Sequence, residues 1–256
     1  MKLLILMSLL ILSHASFGAV KKEVKEKVPM EIQKHKLFPS FLKSYKSKAE
    51  LDGLRNKTIA LQGEAVPLLT YVMKSKAFPE KNRWIATFAL GEIMGKKAAP
   101  FLSKFTQHPN WLLRLASLKS LMSLDQKQYK GIYTRLLSDK AMIVRLQALE
   151  TIKQFDLKEL APYVWAMLYD DKNYSGSKGG RKRGEIIRSI IKTIGDLKFD
   201  KATKPMLAMI QKKKYRDIHE ELDYALSKVT GKASPEGNLS IKKHYWKTES
   251  LKLVSL

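Results

Sequence analysis

The short string HEELD comes closest to a metal motif in this chain. It places His219 and Asp223 one helical turn apart with Glu220 between them, so both side chains could reach one ion from the same helix face. A zinc hydrolase needs a second histidine and a third ligand, and neither stands near this string. We therefore expect no metal and no cofactor, and we interpret His219 as part of a plain helix surface. An envelope enzyme that uses His219 is the alternative.

Two Ser-x-x-Lys strings, Ser40–Lys43 and Ser189–Lys192, have the spacing that serine acyltransferases of the bacterial envelope use. The companion motifs are absent from the sequence, as are G-x-S-x-G and a Walker-type G-K-S/T. Because the chain is so rich in lysine, such strings arise by chance. Whether two acids form a catalytic carboxylate pair stays open, since the sequence does not show which acids share a cleft. These motifs together predict that the protein is not an enzyme.

The stretch KNYSGSKGGRKRG, Lys172–Gly184, combines glycines with basic residues just before an apolar helical run. Such a turn could cradle an anion at a helix N-terminus, but its glycines lack the spacing of a nucleotide fingerprint and no strand precedes it. We interpret it as an inserted basic finger beside a binding groove. The candidate partner-binding residues in this finger are Lys178, Arg181, Lys182 and Arg183.

The charge of the chain is strongly positive. The 48 Lys and Arg residues outnumber the 24 Asp and Glu residues, for a formal net charge of +24, which attracts polyanions. Lysines outnumber arginines by 39 to 9, and base-reading sites favour the arginine fork, so the charge indicates electrostatic attraction rather than sequence recognition. The alternative function is therefore binding of nucleic acid, lipopolysaccharide or anionic lipid. It would use the Lys-rich segments Lys21–Lys48 and Lys172–Arg183, with Lys212–Lys214 as a further basic patch.

The segment Met1–Ala19 has the layout of a secretory signal peptide. One lysine precedes an apolar run from Leu3 to Leu12, and small residues follow, with cleavage expected between Ala15 and Ala19. The apolar run is short for a membrane span, so an uncleaved anchor is the less favoured alternative. Because the chain has no cysteine, it has no lipobox and no disulfide framework. We expect a periplasmic or secreted protein.

A helical repeat fills the middle of the chain. Arg83, Arg114 and Arg145 are equally spaced and stand inside three segments that align without gaps, NRWIATFALGEIMG, LRLASLKSLMSL and VRLQALETIKQF. Two further segments fit with Ile187 and His219 at the arginine position. A shorter amphipathic segment precedes each one, and several of these carry a proline near the start, where it costs little. The pattern predicts five helical hairpins, with the basic finger inserted into the fourth.

The repeat resembles the bacterial HEAT-like family of armadillo-type α-solenoids. The fullest match runs from Asp139 to Arg145 and continues through Ala148, while the first hairpin matches from Arg83 to Gly91. The resemblance implies an all-α solenoid in which the arginine of one hairpin reaches the aspartate of a neighbour. It also implies that the second helices line the concave surface. The chain departs from the family pattern at His108, which stands at the aspartate position, and in the fourth hairpin, which loses the arginine.

Helical geometry then predicts which residues face outward. Counted from the repeat arginine, offsets three, four and seven should lie in the core, and offsets two, five and nine on the exposed face. Offset two holds Ile85, Ala116, Gln147, Ser189 and Glu221, and offset five holds Phe88, Lys119, Glu150, Lys192 and Tyr224. The groove that these residues would line carries both positive and negative side chains. We expect Phe88 and Tyr224 to anchor a protein or peptide, with Lys119 and Lys192 as charges at the rim.

The sequence thus divides into four segments: a signal peptide at 1–19, a basic arm and cap at 20–53, the repeat domain at 54–231 and a cap or tail at 232–256. In the last segment, His244–Trp246 could bind sugar or a partner, or could pack as a terminal cap. We predict an exported, non-enzymatic scaffold with no cofactor that binds a protein or peptide, with an acidic partner favoured. The oligomeric state stays open.

Overall fold

A computed structural model describes residues 28–174 and 184–252. All regular elements in these ranges are helices, and no strand occurs there. The expected signal peptide lies outside the described residues, as do Lys178, Arg181, Lys182 and Arg183 of the basic finger. Within the two described ranges, no helix is both long and apolar enough to cross a membrane.

The helices follow the predicted order of short and long segments. Three helices come first, α1 (Met30–Gln33), α2 (Phe38–Leu42) and α3 (Lys48–Ile59). Five pairs follow, α4 (Val66–Lys74) with α5 (Glu80–Met94), α6 (Ala99–Phe105) with α7 (Trp111–Ser123), α8 (Lys130–Leu136) with α9 (Met142–Gln154), α10 (Ala161–Ala166) with α11 (Glu185–Asp196), and α12 (Thr203–Gln211) with α13 (His219–Thr230). The last helix is α14 (Leu239–Lys252). Each of the five predicted hairpins falls on one pair.

Local sequence explains several helix ends. The first turns of α4, α6 and α10 contain prolines, Pro67, Pro100 and Pro162. Proline lacks the backbone N–H, but in the first turn of a helix this group would have no hydrogen-bond partner within the helix. Gly231 ends α13 with φ near 70°, a left-handed conformation that glycine adopts without strain. The expected boundary after Gly53 instead falls inside α3, because this glycine sits within a helix that Ser47 already caps at its start.

The long helices pack in sequence along the chain. α3 packs against α5, α5 against α7, α7 against α9, α9 against α11 and α11 against α13, while each short helix packs against the long helix of its own pair. Two apolar clusters result, one from Ile32 to Leu121 and one from Leu115 to Trp246, and α7 contributes to both. Burial of each large apolar side chain in them stabilises the fold by about 2 kcal/mol.

A buried arginine–aspartate contact joins the α6–α7 pair to the next one. The Arg114 guanidinium on α7 donates two bonds of 2.7 Å to the carboxylate of Asp139, in the turn before α9. Its third nitrogen donates to the carbonyls of His108 and Pro109 in the turn before its own helix. The predicted arginine ladder is therefore confirmed at Arg114 and Asp139.

The same contact recurs in modified form at the next junction. The Arg145 Nε atom on α9 donates to Oδ1 of Asn173, 2.8 Å away, and another nitrogen donates to the carbonyl of Lys172. Arg145 also bonds the carbonyl of Asp139, at 2.7 Å. An uncharged partner thus replaces aspartate here.

His108 takes the place of aspartate one junction earlier. Its Nε2 atom lies 3.2 Å from Nη2 of Arg83, and its Nδ1 atom accepts the backbone N–H of Asn110 at 3.0 Å. Asp139 accepts the backbone N–H of Ala141 in the same way, at 2.8 Å. The imidazole therefore plays both local roles of the repeat aspartate.

The fourth hairpin keeps its arginine contact despite the change at the repeat position. Ile187 is buried there, but the next residue, Arg188, donates from Nη1 to Oε1 of Glu221 over 2.7 Å and from Nη2 to the carbonyl of Asp217. The arginine is thus absent from the repeat position, as the sequence shows, and the neighbouring Arg188 makes the junction contact instead.

The C-terminal segment packs as a cap on the last pair. Trp246 on α14 is fully buried and donates from Nε1 to Oδ1 of Asp223, 2.7 Å away. Lys242 bonds the other oxygen of the same carboxylate, also at 2.7 Å. Of the two interpretations of His244–Trp246, packing as a cap is the one that Trp246 adopts.

Replacing Gly195 with alanine should destabilise the protein by about 2 kcal/mol, because overpacking strains a close helix contact. An added Cβ would lie 2.7 Å from the backbone Cα of Ala225 on α13. The control is Gly91→Ala, at the same repeat offset, where the nearest side-chain atom would be 3.6 Å away. Urea unfolding followed by circular dichroism measures both; equal stabilities would contradict the close approach of α11 to α13.

The His108→Asp variant should lose part of the acid sensitivity of the fold. Burial and the guanidinium of Arg83 lower the pKa of His108, so folding favours the neutral ring. The stability due to this neutral ring is present above the unfolded pKa of about 6.5 and is lost as the pH falls toward the lower folded pKa.

His108→Gln is the matched control, since glutamine does not titrate and cannot form an ion pair. Both variants should flatten the dependence of unfolding free energy on pH between about 6.5 and about 5, above the range in which the new carboxylate itself titrates. At neutral pH the aspartate variant should be more stable than the glutamine variant by about 1 kcal/mol, through a charged hydrogen bond to Arg83. If both variants kept the wild-type dependence of unfolding free energy on pH, His108 would not contribute to the acid sensitivity.

Candidate functional site

The offset-five residues lie at the surface of successive long helices. Phe88 is half-buried, with its ring centroid 4.6 Å from that of Trp84, and Lys119 is also half-buried. Lys192 is exposed, and Tyr224 is 36% exposed. Of these predicted site residues, the structure brings Lys192 and Tyr224 together and leaves Phe88 and Lys119 outside that group.

The offset-two residues are placed differently from the prediction. Ile85, Ala116 and Glu221 are buried instead of exposed, because this offset faces the neighbouring long helix. Gln147, for example, donates to the sulfur of Met122 on the preceding long helix. The exposed face is therefore narrower than the helical pattern predicts, and it is built mainly from offsets five and nine.

Three long helices enclose a depression of about 420 Å³, which we call the polar depression. Helix α11 supplies its centre, α9 one wall and the ring of Tyr224 on α13 the other. Its lining residues are Leu146, Leu149, Glu150, Lys153, Glu185, Ser189, Lys192, Thr193, Asp196 and Tyr224.

The charges in the polar depression nearly balance. Glu150, Glu185 and Asp196 contribute carboxylates, and Lys153 and Lys192 contribute ammonium groups, so the lining carries a formal charge of −1 in a chain of +24. Lys153 pairs with Glu150 over 2.6 Å. The predicted mixture of signs is present here, with none of the continuous positive stripe that a phosphate backbone requires.

The side chain of Tyr224 is held in place by a residue of the preceding helix pair. Its hydroxyl donates to Oδ1 of Asp196 on α11, and the Nζ atom of Lys228 lies 5.5 Å from its ring centroid. The hydrogen bond to Asp196, followed by burial, raises the pKa of Tyr224 to about 12. At neutral pH the side chain is therefore a phenol with an occupied donor, suited to contact rather than to proton abstraction.

The HEELD string proves to be structural. His219 and Asp223 are buried, which corrects the interpretation of a plain helix surface. Burial lowers the pKa of His219, and nearby Lys243 and Arg216 lower it further, so the ring is neutral at pH 7. Asp223 accepts hydrogen bonds from Trp246 and Lys242. Across residues 28–174 and 184–252, no three histidines or carboxylates come together in a way that could hold a metal ion.

The string Ser189–Lys192 lies inside the polar depression, and both of its end residues line it. These are the residue types of an acyltransferase site, but they sit one turn apart without a hydrogen bond between them in the described contacts. Sequence reasoning did not select Lys153 and Glu185 as site residues. Lys153 stands eight residues after Arg145 and Glu185 two residues before Ile187, positions that the pattern did not assign to the exposed face. The contact of Asp196 with Tyr224 shows that offset nine of one hairpin meets offset five of the next.

No protein-family model matches the chain, and no curated protein matches its sequence significantly.

Replacing Asp196 with asparagine should move the pKa of Tyr224 from about 12 back toward its ordinary value of about 10, because the accepting charge is removed. A ¹³C NMR titration of labelled tyrosines measures this shift, and the Tyr224→Phe variant assigns the signal. An unchanged titration would show that the hydroxyl does not donate to Asp196.

Proposed function

We propose that this chain is a HEAT-like α-solenoid that acts as a non-enzymatic scaffold and binds a protein or peptide along its long second helices. The order of packing supports this architecture, since each long helix contacts the next one along the chain. The arginine contacts at Arg114 and Arg188 support it as well, because each reaches the turn that begins the following long helix or that helix itself. Arg145 reaches Asn173, in the segment that follows the short helix of the next pair.

The observation that carries the binding function is the polar depression. Lys192 and Tyr224, selected from the repeat pattern as partner-binding residues, line the same concave site on neighbouring pairs. Its leucines offer apolar contact, and the ring of Tyr224 offers a rigid surface of the kind enriched at interfaces. Concave sites with a few convergent polar groups are the usual places for ligands.

The charges of the depression suggest the chemistry of the bound segment. Glu185 and Asp196 favour a basic or hydroxyl-bearing side chain inside it, whereas Lys192 favours an acidic neighbour. The partner would therefore present a segment of mixed charge. An acidic partner overall fits the net charge of +24 on the scaffold.

The absence of an enzymatic role is part of the proposal. The donor of Tyr224 is occupied by Asp196, and Ser189 has no bonded base among its described neighbours. Export to the periplasm or beyond is likewise proposed, from the signal-like segment Met1–Ala19.

Peptide display against the immobilised full-length chain tests the function. The selected peptides should carry residues of both signs and should bind the Tyr224→Ala and Lys192→Glu variants at least about tenfold more weakly than the wild type. Isothermal titration calorimetry measures the affinities.

Tyr163→Ala is the matched control, because Tyr163 is 55% exposed on α10 and does not line the polar depression. Thermal unfolding verifies that each variant folds. Selected peptides that bind both depression variants as tightly as the wild type would exclude this site as the binding surface.

A further inference from the structure

A second depression, of about 280 Å³, lies on the short helices of the fourth and fifth pairs. We call it the aromatic depression, because Trp165, Tyr169, Tyr174 and Tyr215 line it together with Pro205 and Lys212. It shares no lining residue with the polar depression. Whatever it binds is therefore separate from the scaffold function proposed above.

Two of the four aromatic rings of this depression are exposed. Tyr169 is 75% exposed and Tyr174 is 41% exposed, whereas most large aromatic side chains of a folded domain lie in the core. The Tyr174 hydroxyl donates to the carbonyl of Leu168 over 2.7 Å, which holds its ring in place. Exposed rings that are held in position are suited to stacking against another flat group.

The floor of the depression includes a departure from the repeat. Ile187 lines it and occupies the position that Arg83, Arg114 and Arg145 hold in the first three pairs. An apolar side chain there removes the guanidinium that the other pairs carry. The junction contact passes to Arg188 instead, so the floor stays apolar without loss of the link to α13.

Basic residues lie on one side of this apolar floor. Between Asp200 and Asp217 the chain contains six basic residues and only those two acidic ones. Lys204 and Ala208 are spaced by four and therefore share one face of α12, and Lys212 directly follows the helix; Ala208 and Lys212 line the depression. Lys213 follows directly and is exposed. The α12 side of the aromatic depression is thus positive, whereas Asp170 and Asp171 follow Tyr169 on the opposite side.

Exposed aromatic rings beside lysines are the combination that binds single-stranded nucleic acid, in which bases stack on rings and phosphates pair with ammonium groups. An acidic peptide would satisfy the lysines but would make no use of the exposed ring of Tyr169. A duplex would hide its bases from the rings. We propose that the aromatic depression binds a base of a single-stranded nucleic acid, with Lys204, Lys212 and Lys213 on the adjoining phosphates.

Fluorescence anisotropy with a labelled oligothymidylate of about 12 nucleotides tests this, with the full-length chain at about 50 mM and about 200 mM NaCl. The oligothymidylate should bind several-fold more tightly than an abasic oligodeoxynucleotide of equal length and charge. Tyr169→Ala should weaken its binding about tenfold, since stacking is lost, and should leave abasic binding unchanged. Lys212→Ala with Lys213→Ala should weaken both and reduce the salt dependence.

Matched controls separate the site from general charge and from the groove. Tyr163→Ala removes an exposed tyrosine of α10 that does not line the aromatic depression, and Lys96→Ala with Lys97→Ala removes two lysines elsewhere. Neither control, nor Tyr224→Ala, should change oligothymidylate binding. Circular dichroism verifies folding.

Three results would overturn the proposal. The abasic oligomer could bind as tightly as the oligothymidylate, or an oligoglutamate of equal charge could compete equally well. Tyr169→Ala could also have no more effect than Tyr163→Ala.

Discussion

The buried contact between Arg114 and Asp139 determines how one helix pair meets the next. A guanidinium that is largely withdrawn from water must be paired and hydrogen-bonded, and here it uses both oxygens of the carboxylate and two backbone carbonyls. This requirement fixes the turn before α9 against α7. Arg145 likewise ties α9 to the segment after α10, and Arg188 ties α11 to α13, so successive helix pairs are held together. The exposed faces of the long helices form the candidate site.

That constraint explains which parts of the fold the sequence could predict. Helix pairs follow from apolar spacing and from prolines at first turns, and the junctions follow from the equally spaced repeat arginines. The error at Ile85 and Glu221 has a physical cause. An amphipathic pattern treats a helix as if it had one buried face, whereas each central long helix here packs against its own short helix and two long neighbours. Residues at offset two therefore lie between neighbouring long helices and are buried there.

The candidate site was predictable in part. Lys192 and Tyr224 follow from the repeat register, but their meeting with Glu185 and Lys153 depends on the approach of three helices. The close packing of α11 on α13, which Gly195 allows, sets that approach. The aromatic depression was not predictable, because Tyr169, Tyr174 and Tyr215 stand in turns and 3₁₀ segments where no periodicity relates them.

Helix α11 connects the two depressions, and its departure from the repeat gives each side a distinct chemistry. Moving the arginine from position 187 to 188 rotates the charge about 100° around the helix axis, away from the aromatic depression and toward Glu221. The contact between α11 and α13 is kept, and the aromatic depression has an apolar residue in its floor. Ser189, Lys192 and Asp196 supply polar groups on the other side. A position that departs from the repeat pattern while the junction contact is retained is one at which a functional site is expected, which supports the proposal for the aromatic depression.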